Sequence, residues 1–182
     1  MIIETDRLLM RPPTRADLPA LVALRSDEDV SRYLGGAAKA RPEVLDKRLD
    51  FYIGCVASHG FAMGPLLLKE GGAMIGWGGL QPLEETGEIE VGYSFAKAHW
   101  GRGYATEMAA AWLRYGFERA GLARIVAVAS PENTASRHVM EKLGMRYEKN
   151  ARHYNTDCVF YSIAREDFRP PAGLYAVREE TK

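Results

Sequence analysis

The segment Trp100-Gly101-Arg102-Gly103-Tyr104-Ala105-Thr106 has the composition of a phosphate cradle. It follows a strand-like stretch, passes through two glycines and opens a run with helical spacing at Met108, Ala111, Trp112 and Tyr115. At such a junction successive backbone N–H groups point the same way, and the helix N-terminus adds partial positive charge. Glycine is needed because a Cβ obstructs both the turn and the approach of a phosphate. The same residues also describe an ordinary Gly-rich turn before a helix, and spacing alone leaves both readings open. Two familiar cradles are excluded. No Gly-Lys-Ser/Thr stands after a four-residue spacing from a glycine, as the Walker form requires. The dinucleotide form fails at its third glycine, where Thr106 stands, and no acidic residue ends the following apolar run.

The elements that must position this loop can be read from hydrophobic period. Leu8, Leu9 and Met10 predict a first strand, stopped by Pro12-Pro13. Thr14-x-x-Asp17 has the form of a capping box, with the helical stripe Leu18, Leu21, Val22 and Leu24 behind it. Asp29 to Leu34 predicts a short helix or turn. Pro42 opens a helix carrying Leu45, Leu49, Tyr52, Ile53 and Val56. The period then changes. Phe61–Lys69, Ala73–Leu80 and Glu88–Phe95 are strands joined by turns at Glu70-Gly71-Gly72 and Gly87, so this meander is antiparallel. Arg124 to Ser130 is a further strand. Asn133 or Thr134 caps a helix to Leu143, with Gly144 as its stop. Tyr147–Glu148 and Cys158–Ala164 complete the strands. The sum is an α+β or mixed α/β domain, one sheet flanked by helices, over residues 1–169. Residues 170–182 form a tail, broken by Pro170-Pro171-Ala172-Gly173 and charged and frayed from Arg178 to Lys182.

A chain of 182 residues makes one domain and can bury a core without disulfides or a structural metal. Lys plus Arg and Asp plus Glu are 24 each, so there is no cationic excess of the kind that coats nucleic acid. Cys55 and Cys158 make no disulfide framework, and no Cys/His cluster points to zinc. Acidic residues at Glu4 and Asp6 oppose a signal peptide, and no apolar run approaches a membrane span. A cytoplasmic protein with no membrane or nucleic-acid partner, monomeric or homodimeric, is expected.

Four blocks carry a resemblance. Glu4-Thr5-Asp6-Arg7-Leu8-Leu9-Met10-Arg11-Pro12 comes first, then Ile75-Gly76-Trp77-Gly78-Gly79-Leu80. Glu90-Val91-Gly92-Tyr93 with Trp100 to Glu107 is the third, and Asn133-x-x-Ser136-Arg137-x-Val139-x-Glu141-Lys142-Leu143-Gly144-Met145 the fourth. In this order they resemble the GNAT N-acetyltransferase superfamily, and within it the RimJ/RimL-like branch. The superfamily loop usually begins with Gln or Arg. This chain has Trp100, at a position where the branch often carries an aromatic.

The resemblance implies a GNAT-like fold with a mostly antiparallel twisted sheet. It implies transfer of an acetyl group from acetyl-CoA to a primary amine, by direct attack and without a metal. The amine is either a protein N-terminus or a small molecule. Acyl-CoA is expected along the strand ending at Phe95, its pantetheine amides pairing with backbone at Tyr93 and Phe95. The Tyr93 N–H matches the donor that polarises the thioester carbonyl. Gly101, Arg102, Gly103, Tyr104, Ala105 and Thr106 match the pyrophosphate amides, and Asn133 matches a side chain contacting the cofactor.

Glu90 is the base candidate, three residues before Tyr93 and on a strand face shared with Gly92 and Ser94. Its alternative is a solvated strand carboxylate. Ser136 matches a candidate acid for the departing thiolate, its alternative being a helix cap. Tyr147 and Tyr154 could donate the same proton or simply pack. His59, His99, His138 and His153 are scattered, and Trp77, Trp100 and Trp112 read as core or pocket wall. Neither cysteine has a paired His and Asp in context, which opposes an acyl-enzyme. The acceptor wall is expected from residues 14–60 and the C-terminal strands. There Arg32, Arg41, Lys47 and Arg48 could draw an acidic acceptor or form a solvated helix face. An acyl-CoA-binding sensor without turnover is the alternative function. A phosphate binder of another fold needs a parallel sheet, which the meander opposes.

Overall fold

The computed structural model describes residues 1–84 and 86–178. The chain opens with a hairpin, β1 (Ile2–Thr5) and β2 (Leu8–Met10), and then places α1 (Leu18–Ser26), α2 (Glu28–Ser31), α3 (Gly36–Lys39) and α4 (Pro42–His59). The meander follows as β3 (Met63–Leu68), β4 (Met74–Pro82) and β5 (Ile89–Phe95). The remainder is α5 (Tyr104–Glu118), β6 (Arg124–Ala129), α6 (Thr134–Lys142), β7 (Arg146–His153), β8 (Thr156–Ala164) and β9 (Tyr175–Arg178). The strands form one sheet of order β7-β8-β6-β5-β4-β3-β2-β1-β9. Every pairing is antiparallel except β5 with β6. That parallel pairing has a single register pair, Glu90 with Val126. Beyond it the two strands part.

Each face of the sheet carries its own helices. Met108, Ala109, Trp112 and Leu113 of α5 pack with Leu8, Leu66, Ile75, Leu80, Val91, Ile125 and Ile163. On the opposite face, Leu21 and Leu24 of α1 and Leu45, Leu49, Tyr52 and Cys55 of α4 enclose Trp77. Met108, Leu113 and Leu49 are fully buried, and such a side chain contributes about 1.5–3 kcal/mol. The helix start at Thr14 is confirmed in detail. The Asp17 carboxylate accepts the Thr14 N–H at 2.7 Å and the Arg11 guanidinium at 2.5 and 2.9 Å.

Three stretches differ from the sequence reading. Ile2–Thr5 is a strand of its own, pairing with β2 on one side and β9 on the other. The strand expected at Tyr147–Glu148 runs from Arg146 to His153, eight residues. It is the edge of the sheet and mostly exposed, so its polar sequence carries no apolar period. Within the segment expected as a tail, Tyr175–Arg178 pairs with all four residues of β1. Arg178 also contacts Glu4 at 2.5 Å. The rest of the expected fray, residues 179–182, lies outside the described residues.

Candidate active site

Where β5 and β6 part, a cavity of about 510 Å³ opens. Val91 to Ser94 line one side, and Val128, Ala129 and Ser130 the other. Strand alternation divides β5 between two environments. Glu90 turns toward Gln81, its register partner on β4. Tyr93 turns toward α6, its hydroxyl 3.1 Å from the Ser136 Oγ.

Glu90 is 3% exposed, so the solvated-carboxylate alternative fails. Gln81 Nε2 and the Tyr154 hydroxyl both donate to its Oε1. Gln81 Nε2 also donates to the Tyr154 hydroxyl, at 2.9 Å. Both bonds to the carboxylate fall on Oε1, so Oε2 is the oxygen better placed to take a proton. Burial pushes the Glu90 carboxyl up from 4.5 to about 7, against the pull of Tyr154, Gln81, Arg48 and His153. Burial and the Glu90 charge in turn raise the Tyr154 phenol, so it holds its proton. Tyr154 and Asn155 form the two-residue turn between β7 and β8, with φ of 55° and 60°. A left-handed tyrosine is uncommon, and here it delivers the phenol to Glu90.

Ser136 and Asn133 sit at the start of α6, and both line the cavity. The Asn133 Oδ1 caps the helix by accepting the Ser136 N–H at 3.1 Å, which leaves its amide nitrogen for other contacts. Burial pushes the Tyr93 phenol up to about 12, so the Tyr93–Ser136 pair is neutral and proton-bearing.

The Gly101–Thr106 loop lies apart from the cavity lining, beyond the end of β5. Gly101 and Gly103 take left-handed φ of 73° and 79°. Gly103 is the N-cap of α5 and supplies no side-chain cap. The first N–H groups of the helix are thus available to an anion, as a pyrophosphate cradle requires. Phe95 is buried, and its carbonyl accepts the Trp100 indole N–H at 2.7 Å, tying strand end to loop. Trp100 is 47% exposed and so belongs to the surface, unlike Trp77 and Trp112.

Four contributors were not evident as site residues in the sequence. Arg7, in the β1–β2 turn, donates Nη1 to the Arg102 carbonyl at 2.8 Å and Nε to Glu107 at 2.7 Å. Its guanidinium lies 4.4 Å over the Tyr104 ring. It therefore clamps the loop from across the sheet. Gln81, Arg25 and His153 join the cavity through pairings that no local pattern announces. Arg48, for which the sequence leaves both a solvated helix face and attraction of an acidic acceptor open, sits in the cavity over the Phe51, Tyr52 and Tyr154 rings at 5.0, 5.3 and 5.5 Å. Tyr147 stays outside, exposed and bonded to Asn150 at 3.1 Å. Among the described residues no cluster of His, Cys, Asp and Glu could hold a metal ion, and no helix is long and apolar enough to cross a membrane.

A splayed β5–β6 pair beside a Gly-rich helix start defines an acyl-transfer architecture. Residues 7–146 match the family described as the acetyltransferase (GNAT) domain, and the chain belongs to that family. The uncharacterised protein YkkB of Bacillus subtilis is 33% identical over 162 residues, 87% of this chain and 93% of YkkB. The uncharacterised N-acetyltransferase YoaA of the same organism is 30% identical over 154 residues, covering 84% and 87% of the two chains. The crystal structure of a GNAT-family acetyltransferase from Bacillus anthracis superposes with a TM-score of 0.74 at 32% identity, covering 91% of this chain and 99% of that one.

Proposed function

We propose that the protein transfers an acetyl group from acetyl-CoA to a primary amine by direct attack, within the RimJ/RimL-like branch, with the domain expected over residues 1–169 extended by the strand Tyr175–Arg178. The observation that carries this reading is the parting of β5 and β6 immediately after Glu90, which leaves backbone at Tyr93 facing a cavity that ends on a buried carboxylate. A pantetheine arm fits there as an added strand, with the pyrophosphate on the uncapped amides of Gly101 to Thr106.

The amine must attack neutral. An α-amine has a pKa of about 7.7–8 and a lysine amine about 10.4, so an α-amine surrenders its proton far more readily near pH 7. Glu90 Oε2 receives that proton directly or through a water. A carboxyl poised near 7 is well matched to this transfer. The nitrogen bonds the carbonyl carbon, and the Tyr93 N–H steadies the oxyanion. The C–S bond then breaks, and the Tyr93–Ser136 pair supplies the thiolate with a proton. Asn133 and Phe95 complete the cofactor contacts.

A thiol-release assay with acetyl-CoA over a panel of amines and N-terminal peptides tests the reading. Turnover of an amine with CoA production is expected. Tight CoA binding with no turnover on any acceptor would mean an acyl-CoA sensor instead.

A further inference from the structure

The acceptor end of the cavity is unusually cationic. Arg25 of α1 and Arg48 of α4 both line it, with Lys39 and Lys47 at exposed positions. Arg25 makes one hydrogen bond, from Nη2 to the Leu34 carbonyl at 2.9 Å. Its Nε is buried without a partner. Burial lowers its pKa, and the Arg48 charge adds to that effect against the pull of Tyr52. The carboxylates of the cavity, among the described residues, are Glu84, Glu90 and Asp157. Glu84 is taken by Arg48, Glu90 is held by Gln81 and Tyr154, and Asp157 is exposed. Among the described residues no carboxylate pairs with Arg25. Arg48 is thus matched by Glu84, whereas Arg25 is left beside a second guanidinium with a buried, unpartnered Nε, an arrangement that is costly unless an anion completes it.

We propose that the acceptor is a small amine that brings its own oxyanion, a carboxylate or phosphonate, to Arg25 and Arg48. The proposal rests on the acetyltransferase reading above. Guanidinium forks match such planar or tetrahedral oxyanions in two-point contacts. The spacing suits one small molecule. Gln81 donates to Glu90 with its nitrogen, and its Oε1 lies 3.5 Å from Arg48 Nη2. A single side-chain amide therefore lies between base and guanidinium, so an amine at Glu90 and an anion at the arginines belong to one compact acceptor. Tyr33, Phe51 and Trp77 offer aromatic wall for the remainder. Lys39 Nζ donates to the Tyr154 carbonyl at 2.9 Å, joining α3 to the β7–β8 turn. Two walls of the acceptor end meet there, which suits a small molecule better than a polypeptide. A polyamine would meet like charge.

The test titrates the protein, with and without CoA, with N-acetylphenylalanine, its phosphonate analogue and N-acetylphenethylamine, which lacks the anion. The anionic compounds are expected to bind about 10- to 100-fold tighter, the range of a charged hydrogen-bonded contact. Arg25→Met should remove most of that difference and Arg25→Lys part of it, while CoA affinity stays unchanged in both. Which anionic compound binds better identifies the oxyanion. Equal binding of anionic and neutral compounds, binding of none, or a preference that survives Arg25→Met overturns the proposal. So does faster acetylation of spermidine or a peptide N-terminus than of phenylalanine. Failure of the wild type to bind CoA is read separately. It would overturn the acetyltransferase reading and leave the anion result standing.

Discussion

Along β5 the protein changes its building material. Beyond Phe95 the site is backbone: two left-handed glycines, an uncapped helix start and an exposed loop, contiguous from Trp100 to Thr106. At Glu90 the site is side chain: a buried carboxylate held by Gln81 from β4 and Tyr154 from a hairpin turn, with Arg48 of α4 close by. In the function proposed above the first end would hold an invariant group, the pyrophosphate of a cofactor, for which amides in a fixed conformation suffice. The second would tune a proton and choose an acceptor. Both tasks depend on burial and charge that only converging side chains provide.

The largest effect should come from the side-chain end. Glu90→Gln is expected to lower kcat by about 10²–10⁴-fold at pH 7 while CoA affinity holds. The wild-type kcat/KM should rise with pH through about 7, and the variant should lose that limb. Stability moves the opposite way. The folded carboxyl binds its proton more tightly than the unfolded one, at about 7 against 4.5, so its stabilising contribution is present below 4.5 and lost as pH rises through 7. Thermal melts should therefore show Glu90→Gln gaining stability relative to wild type between pH 5 and pH 8. A variant with wild-type kcat at pH 7 would reduce Glu90 to a structural carboxylate.

Breaking the backbone end calls for a different change. Gly103→Val forces a β-branched residue to φ of 79°, a strain of about 1–3 kcal/mol. The nearest neighbour of the new Cβ, an Arg7 nitrogen at 3.5 Å, is in ordinary contact, so conformation rather than crowding is at stake. The free loop would relax from that conformation and binding would have to restore it, so calorimetric titration should show CoA affinity falling about 5- to 140-fold, that strain converted at about 1.4 kcal/mol per tenfold. Arg102→Ala should cost less than about 3-fold, because the Arg102 side chain is exposed and its carbonyl is the atom in use. Equal losses would mean that side-chain charge, not the amides, holds the pyrophosphate.

This contrast also explains what the sequence could reveal. The Gly-rich loop and the β3–β5 meander are local patterns, and both are present as read. Glu90 could be singled out from its place on β5, but its burial could not. That depends on Gln81 as register partner and on Tyr154, 64 residues away in the chain. Arg48 was equally opaque. A helix position with a charged residue reads as solvated unless the facing elements are known, and here they are the Glu84 and Tyr154 segments. The β7 strand escaped because an exposed edge needs no apolar period.

A smaller effect joins the two kinds of construction. Arg7 is a side chain that serves the backbone end, holding the Arg102 carbonyl and Glu107 together. Its side chain is 45% exposed, so Arg7→Ala should weaken CoA binding only about 3- to 10-fold. Arg7→Lys should recover little, since one ammonium cannot reproduce the fork. A kcat defect without a change in CoA affinity would remove Arg7 from the loop clamp.

A shift in pH dependence is the sharpest probe of the side-chain end. Tyr154→Phe keeps the ring under Arg48 and removes one hydrogen bond to Glu90 Oε1. That bond favours the ionised carboxylate, so its loss should raise the Glu90 pKa further above about 7. One pKa unit corresponds to about 1.36 kcal/mol, close to the worth of a hydrogen bond to a charged group. The midpoint of kcat/KM against pH should therefore move up by about one unit. At pH 7 activity should fall several-fold, and at pH 9 it should approach wild type, because the base is then ionised in both proteins. The Gln81 bond remains, so the shift stays bounded. A pH-independent loss of kcat would instead make the Tyr154 hydroxyl a proton donor to the departing thiolate. In that case Tyr154 would join Tyr93 and Ser136 in handling the thiol, and Glu90 would rest on Gln81 alone.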